Sequence, residues 1–322
     1  MKKTFLAAGV FIFLLLFLSA CSLTGTRVRE KGPVLDYRKG SDGIVISFAE
    51  GTPPKRVYEG SKFNVIVKVW NKGAFDNPQG TLHLQGYDPT AIIFDANIKE
   101  IPKIQGSSQY LPGGGYDTVV FNADSTKVLA GDYYKPTLMV SNCFRYETIA
   151  TPSVCIVPDP SALIKNKVCE PKTITLSNQG APIAVTRVDE EVMYDAVNFI
   201  ITIQNVGKGN VVNLEKFSSC PNLKYSDLDE VEIDVRIANL GPAQCSSGNK
   251  VKLVDGRGTV ICRFNAIGVR GDDLNSYVTP LQITLKYGYN TNIKQEIEIV
   301  RIPGTKPENT YAPIDTNYYD YR

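Results

Sequence analysis

The sequence predicts an all-β fold: two tandem antiparallel β-sandwiches behind a signal peptide and a short stalk. Three observations predict it. Val, Ile, Thr, Tyr and Phe recur in short runs that Gly, Pro, Asn and Asp interrupt, the pattern of strands and turns. No long stretch after the N-terminal leader has helical periodicity. An internal repeat divides the chain: "FNVIVKVWNKG" (Phe63–Gly73) aligns without a gap with "VNFIITIQNVG" (Val197–Gly207).

The elements follow in chain order. Lys2 and Lys3 precede "FLAAGVFIFLLLFLSA" (Phe5–Ala20), an uncharged apolar run with small residues at its end, so residues 1–20 read as a secretory signal. A spanning helix needs about 20 apolar residues, which this run only just approaches; an uncleaved signal anchor is the alternative. Residues 21–42 are polar, charged and glycine-containing and suit a stalk. The first sandwich is expected over 43–158 and the second over 168–303, with a junction at 159–167 that contains Pro160. Residues 304–322 lack alternation and read as a disordered tail.

The repeat supports the two sandwiches. Phe63, Val65, Val67 and Val69 match Val197, Phe199, Ile201 and Ile203, and each set alternates at period two, so each fills one face of a strand. Asn71 matches Asn205 and Gly73 matches Gly207. Both residue types tolerate positive φ, which predicts the same kind of turn after each strand. A second match, Leu138–Ile156 with Leu281–Ile299, reads as a closing hairpin in each copy, the first turning near Ile149.

Seven cysteines leave one unpaired. Cys21 follows the leader directly, and "LSAC" (Leu18–Cys21) resembles the lipobox of lipoprotein signal peptides, which implies a lipid-bearing Cys21 at the mature N-terminus. The other six suit disulfides in an exported chain. The hairpin reading sets Cys143 opposite Cys155, with Lys286 and Glu298 as the ionic equivalent in the second copy. Cys169, Cys220, Cys245 and Cys262 allow three pairings, of which Cys220–Cys245 with Cys169–Cys262 is preferred.

Several functions are disfavoured. Two of the 35 basic residues lie in the leader, so the mature chain balances 33 basic against 33 acidic residues and offers no basic surface for nucleic acid. His83 is the only histidine and sits in a strand-like "TLHLQG", apart from most acids, so no catalytic triad is expected. No CxxC supports zinc. "LPGGGYD" (Leu111–Asp117) lacks the lysine and helix of a phosphate loop and reads as a strand connection. "SDLDE" (Ser226–Glu230) and "RGDD" (Arg270–Asp273) fall short of the six to eight oxygens calcium takes. No cofactor is expected. Trp70 shares an outward strand face with Asn64, Ile66 and Lys68 and is a candidate contact residue, as are Tyr311, Tyr318, Tyr319 and Tyr321 of the tail.

The strand ends "WNKG" and "QNVG", with "LAGDYYKPTLMV" (Leu129–Val140), resemble the immunoglobulin-like CARDB-type modules of archaeal and bacterial surface proteins. With "NQGAPIAVTRV" opening the second copy, the layout looks like exported proteins of small-genome archaea. The resemblance implies two immunoglobulin-like surface sandwiches and no catalytic residues. The expected role is non-enzymatic: a lipid-anchored protein on the outer face of the cell membrane, with a structural, adhesion or assembly role and a protein partner at the envelope. A ligand-binding lipoprotein for a sugar or peptide is the alternative, and a glycoside hydrolase using paired carboxylates the next.

Overall fold

The computed structural model describes residues 37–158, 168–193, 196–265 and 276–304. They are almost wholly β. The first half contains β1 (Ile44–Phe48), β2 (Arg56–Tyr58), β3 (Phe63–Asn71), β4 (Gly80–Gln85), β5 (Ile92–Phe94), β6 (Ile98–Glu100), β7 (Tyr116–Thr126), β8 (Tyr133–Tyr134), β9 (Thr137–Ala150) and β10 (Ser153–Ile156). The second contains β11 (Ile174–Thr175), β12 (Ile183–Val192), β13 (Ala196–Asn205), β14 (Asn210–Val212), β15 (Glu230–Ile237), β16 (Gly241–Pro242) and β17 (Gln244–Cys245). It continues with β18 (Lys250–Lys252), β19 (Arg257–Asn265), β20 (Tyr277–Pro280), β21 (Gln282–Glu296) and β22 (Glu298–Val300). Short 3-10 turns at Leu214–Ser219 and Tyr225–Asp227 are the described helices.

The repeated segments form equivalent strands. In β3 the side chains of Phe63, Val65, Val67, Val69 and Asn71 are buried, while Asn64, Lys68 and Trp70 are exposed. In β13 Val197, Phe199, Ile201 and Ile203 are buried in the same way. β3 lies in a sheet ordered β1-β3-β7-β5, and β13 in a sheet ordered β11-β12-β13-β19-β17. Both pack on one eight-stranded sheet, β16-β15-β21-β9-β4-β6 with β14 and β18 attached. Tyr146 of β9 and Tyr287 of β21 stand directly opposite each other and so point to one face. Tyr146 reaches Asn71 of the first small sheet, and Tyr287 reaches Ile183 of the second. One continuous apolar core runs from Ile44 to Ile299.

The two halves therefore share a sheet instead of standing as independent bodies. β9 and β21 pair antiparallel from Ala150 opposite Ile283 to Thr137 opposite Glu296. The same register continues past both ends. Ser153 of β10 lies opposite Pro280 of β20, and Tyr134 of β8 opposite Ile299 of β22. Pro136 and Pro152 interrupt the ladder without shifting it, because Ile297 N–H bonds to the Pro136 carbonyl (3.1 Å) and Leu281 N–H to that of Pro152 (2.9 Å). Each half thus sends its last strand into the other. Phe144, Tyr146, Tyr287 and Tyr289 close a ring of four aromatic contacts at the centre, with centroids 5.7 to 6.4 Å apart.

This ribbon corrects the hairpin expectation. Ile149 lies inside β9, and β21 is also unbroken. The inward alternation Leu138, Val140, Asn142, Phe144, Tyr146, Thr148, Ala150 continues through the supposed turn. Residues twelve apart on one straight strand are roughly 40 Å apart, so neither predicted pair forms. Cys143 is bonded to Cys220, Cys155 to Cys169 and Cys245 to Cys262. The predicted Cys143–Cys155, Cys220–Cys245 and Cys169–Cys262 bridges are all replaced. Lys286 stands opposite Glu147 and Glu232, while Glu298 binds Arg56 (2.6 Å) and Lys135 (3.0 Å) of the first half.

The repeated Asn and Gly also serve differently from expectation. Neither Gly73 nor Gly207 has positive φ. Each instead gives way to a tyrosine hydroxyl. Tyr146 donates to Asn71 Oδ1 and Tyr289 to Asn205 Oδ1, both at 3.0 Å. Asn71 Nδ2 donates to the Phe75 carbonyl (2.7 Å), and Asn205 Nδ2 to that of Gly209 (2.9 Å). The Phe75 and Gly209 N–H groups return to the same hydroxyls at 3.3 and 2.8 Å. The Asn–Tyr lock is present twice, once in each half.

Candidate interaction surface

The exposed outer face of the β1-β3-β7 sheet carries the most distinctive surface chemistry. Period-two alternation turns Trp70 outward, as the sequence predicts, and leaves it 41 % exposed. Val45 of β1 lies opposite it on one side and Tyr116 of β7 on the other. Tyr116 is 75 % exposed, with its ring centroid 6.2 Å from that of Trp70. The result is an apolar row across three strands. Trp70 is fixed within it: the indole N–H donates to the Gly113 carbonyl (2.7 Å), and the Lys72 ammonium stands 5.0 Å over the ring.

Gly113 belongs to the glycine-rich connection before β7. Its backbone is held by Ser107 Oγ donating to the Pro112 carbonyl (2.7 Å) and by Asn71 N–H donating to that of Gly115 (2.9 Å). At Gly114 φ is +71°, and a Cβ there would overlap the Asn71 carbonyl, so glycine is required. Tyr110, at the tip, is 93 % exposed. Tyr116 and Val45 are contact candidates that sequence reasoning missed. The outward alternation of "YDTVVFNAD" was available as a signal, but only the pairing with β3 puts Tyr116 beside Trp70.

The remaining candidates disperse. His83 of β4 is buried, 2.8 Å from Thr81 Oγ1, and burial lowers its pKa. Among the described residues no group of three His, Cys, Asp or Glu side chains is placed to hold a metal. In "SDLDE", Asp227 accepts from the Lys224 N–H (2.9 Å) and Glu230 pairs with Lys250 (3.3 Å), so these acids serve a turn and an ion pair. Cys21, Arg270–Asp273, Tyr311, Tyr318, Tyr319 and Tyr321 lie outside the described residues. No helix among the described residues is long and apolar enough to cross a membrane. The three disulfides fit an oxidising, extracytoplasmic environment.

Glu190 of β12 is the exception among the acids. Burial raises its pKa from 4.5 to about 7, and hydrogen bonds from the Cys155 and Lys172 backbones only partly oppose this. Its Oε1 has no hydrogen-bond partner among the described residues. It borders a cleft of about 570 Å³ with Cys155, Cys169, Glu170, Lys172 and Val278. The folded chain holds a proton that the unfolded chain releases, so Glu190 lowers stability progressively as pH rises from 4.5 through about 7. Glu190→Gln is expected to raise stability at pH 8 by about 1–2 kcal/mol, after discounting for solvent screening at a half-exposed site, and to leave it unchanged at pH 4. Denaturant midpoints at the two pH values test this; equal shifts at both would exclude a protonation origin.

No protein-family model matches the chain, and no curated protein matches it. What the surface does must follow from its own chemistry. A flat apolar row with two exposed aromatic rings suits a macromolecular contact, since aromatic side chains supply much of the binding energy at such interfaces.

Proposed function

We propose that this chain is a non-enzymatic, extracytoplasmic protein, tethered through a lipid on Cys21, that binds a protein partner at the cell envelope through the Val45–Trp70–Tyr116 face. The exposed aromatic row carries the proposal. The leader with its "LSAC" motif and the resemblance to CARDB-type immunoglobulin-like surface modules support the placement at the outer face of the membrane.

The test is a pull-down from detergent-solubilised native membranes with the wild-type chain and with Trp70→Ala/Tyr116→Ala. A specific co-purifying protein is expected with the wild type and is expected to be lost with the double variant. Tyr116 is 75 % exposed, so Tyr116→Ala is expected to change stability by only about 0.5 kcal/mol, whereas Trp70→Ala also loses the Gly113 hydrogen bond, and a melt of the double variant checks that the fold is kept. An identical set of captured proteins from both chains would end the assignment of this face. Metabolic lipid labelling, lost in Cys21→Ser, tests the tether separately.

A further inference from the structure

The two halves differ at one edge. β12 is the counterpart of β1: Val185 lies opposite Ile203 and Ile46 opposite Val69, and Ile203 and Val69 are matched positions of the repeat. In the second half this edge is covered by the chain itself. β11 pairs antiparallel with β12, Ile174 opposite Val188 and Thr175 opposite Arg187. The Gln179 carboxamide then completes the edge at Val185, accepting from its N–H (2.9 Å) and donating to its carbonyl (3.1 Å).

In the first half the same edge is open. β1 is the terminal strand of its sheet. Gly43 accepts from Lys72 N–H and Ala49 donates to Ile66, so the alternate residues Ile44, Ile46 and Phe48 direct their backbone groups away from β3. The Ile44 carbonyl is met by Asn142 Nδ2 (3.4 Å), as the carbonyl of its counterpart Ile183 is met by Thr148 Oγ1 (2.7 Å). The outward N–H and carbonyl of Ile46 have no partner among the described residues, whereas those of Val185 have both. Beside Ile46 runs a groove of about 290 Å³, bounded on its far side by Thr291, Asn292 and Ile293 of β21. Lys72 and Lys208 stand at its end near Gly43, with Asp42 as the opposing charge.

We propose that the open edge of β1 binds an extended peptide segment of a partner protein, added as an antiparallel strand whose C-terminal end carries acidic residues. Unpaired strand edges recruit strands in this way, with the main chain supplying affinity and the side chains specificity. The second half shows the orientation: its own covering segment runs antiparallel, with its C-terminal residue Gln179 toward the start of β12. A strand so placed on β1 ends beside Lys72 and Lys208, two positive charges against one negative, and this assigns the acidic end. The contact is at the edge of the sheet whose face carries Trp70 and Tyr116, and it does not depend on that face being the one engaged.

The probe is a synthetic peptide with the sequence of Thr173–Gln179, "TITLSNQ", the segment that covers the equivalent edge. One version ends in two added glutamates and one in two added lysines. Binding to the full chain in mild detergent is followed by fluorescence anisotropy, and the bound amides by hydrogen exchange. The glutamate version is expected to bind roughly tenfold more tightly at low salt, and the preference is expected to invert in Lys72→Glu/Lys208→Glu. The Ile46 and Phe48 amides are expected to gain protection in wild type and in Trp70→Ala/Tyr116→Ala alike. No binding at millimolar peptide, or protection confined to strands other than β1, overturns the proposal. Protection of β1 in the peptide-free chain that rises with protein concentration also overturns it, by assigning the edge to a second copy.

Discussion

Gly73→Ala is expected to lower the stability of the chain by about 3 kcal/mol or more, whereas Gly113→Ala changes it by less than about 0.5 kcal/mol. Both glycines lie in the first half and neither has positive φ, so the backbone preference is the same for both. The difference is space. A Cβ on Gly113 meets only the edge of the Trp70 ring, 3.9 Å away. A Cβ on Gly73 would overlap the Tyr146 hydroxyl and the carbonyl oxygens of Asp42 and Gly180. Displacing that hydroxyl also takes its hydrogen bond from Asn71, which is fully buried. Gly207 is crowded differently: its neighbours are the Tyr289 hydroxyl and a side-chain carbon of Pro182, not backbone. Tyr289→Phe is therefore expected to recover part of the loss in Gly207→Ala, while Tyr146→Phe recovers little in Gly73→Ala. Denaturant midpoints of the three glycine variants, the two tyrosine variants and the two double variants decide it. A Gly73→Ala chain as stable as Gly113→Ala would show that the lock does not constrain the strand end.

A larger effect is expected from cutting the chain. Fragments 43–158 and 168–303, expressed alone under oxidising conditions, are each expected to lack a cooperative unfolding transition, and mixing them is expected to restore one. Each fragment would expose the full length of β9 or β21, a long strand edge with no covering element. Each would also lose the partner of its last strand, since β10 pairs with β20 and β22 with β2 and β8. The Cys143–Cys220 bridge joins the halves as well. Circular dichroism melts of each fragment and of the mixture provide the measurement. A monomeric fragment that melts cooperatively by itself would mean that each sandwich is complete without the shared sheet.

The fold class was legible because alternation is a local property. Phe63 to Val69 and Val197 to Ile203 declare a buried face within nine residues, and the repeat between them is visible without any structure. The outward position of Trp70 follows from the same count. What failed was length and partner. β9 continues through "ETIA" (Glu147–Ala150), which holds no Gly, Asn or Asp, yet the spacing of Cys143 and Cys155 invited a turn there. The true partner of Cys143 lies 77 residues away, on a segment of the other half that the repeat does not cover, so no local spacing reveals it. The Asn–Tyr locks join residues 75 and 84 apart. Their signature was present in the aligned Asn71/Asn205 and Tyr146/Tyr289, but alignment shows equivalence, not contact. The open edge beside Ile46 emerges only when two equivalent positions are compared in space.

The continuous ribbon sets Arg145 opposite Gly288, and these are also the residues that the repeat makes equivalent. They stand where an internal two-fold axis crosses the sheet. In a homodimer of one half, the residue on such an axis would face its own copy, and arginine would meet arginine with like charges directly opposed. A single chain carrying both copies is released from that self-complementarity. It places glycine at one of the two positions, packed against Val212 and Phe217, and lets the Arg145 guanidinium lie 5.1 Å over the Phe217 ring. Covalent fusion thus turns a symmetric contact into two sites that can differ, and one copy can close its outer edge with its own chain while the other leaves that edge for a stranger.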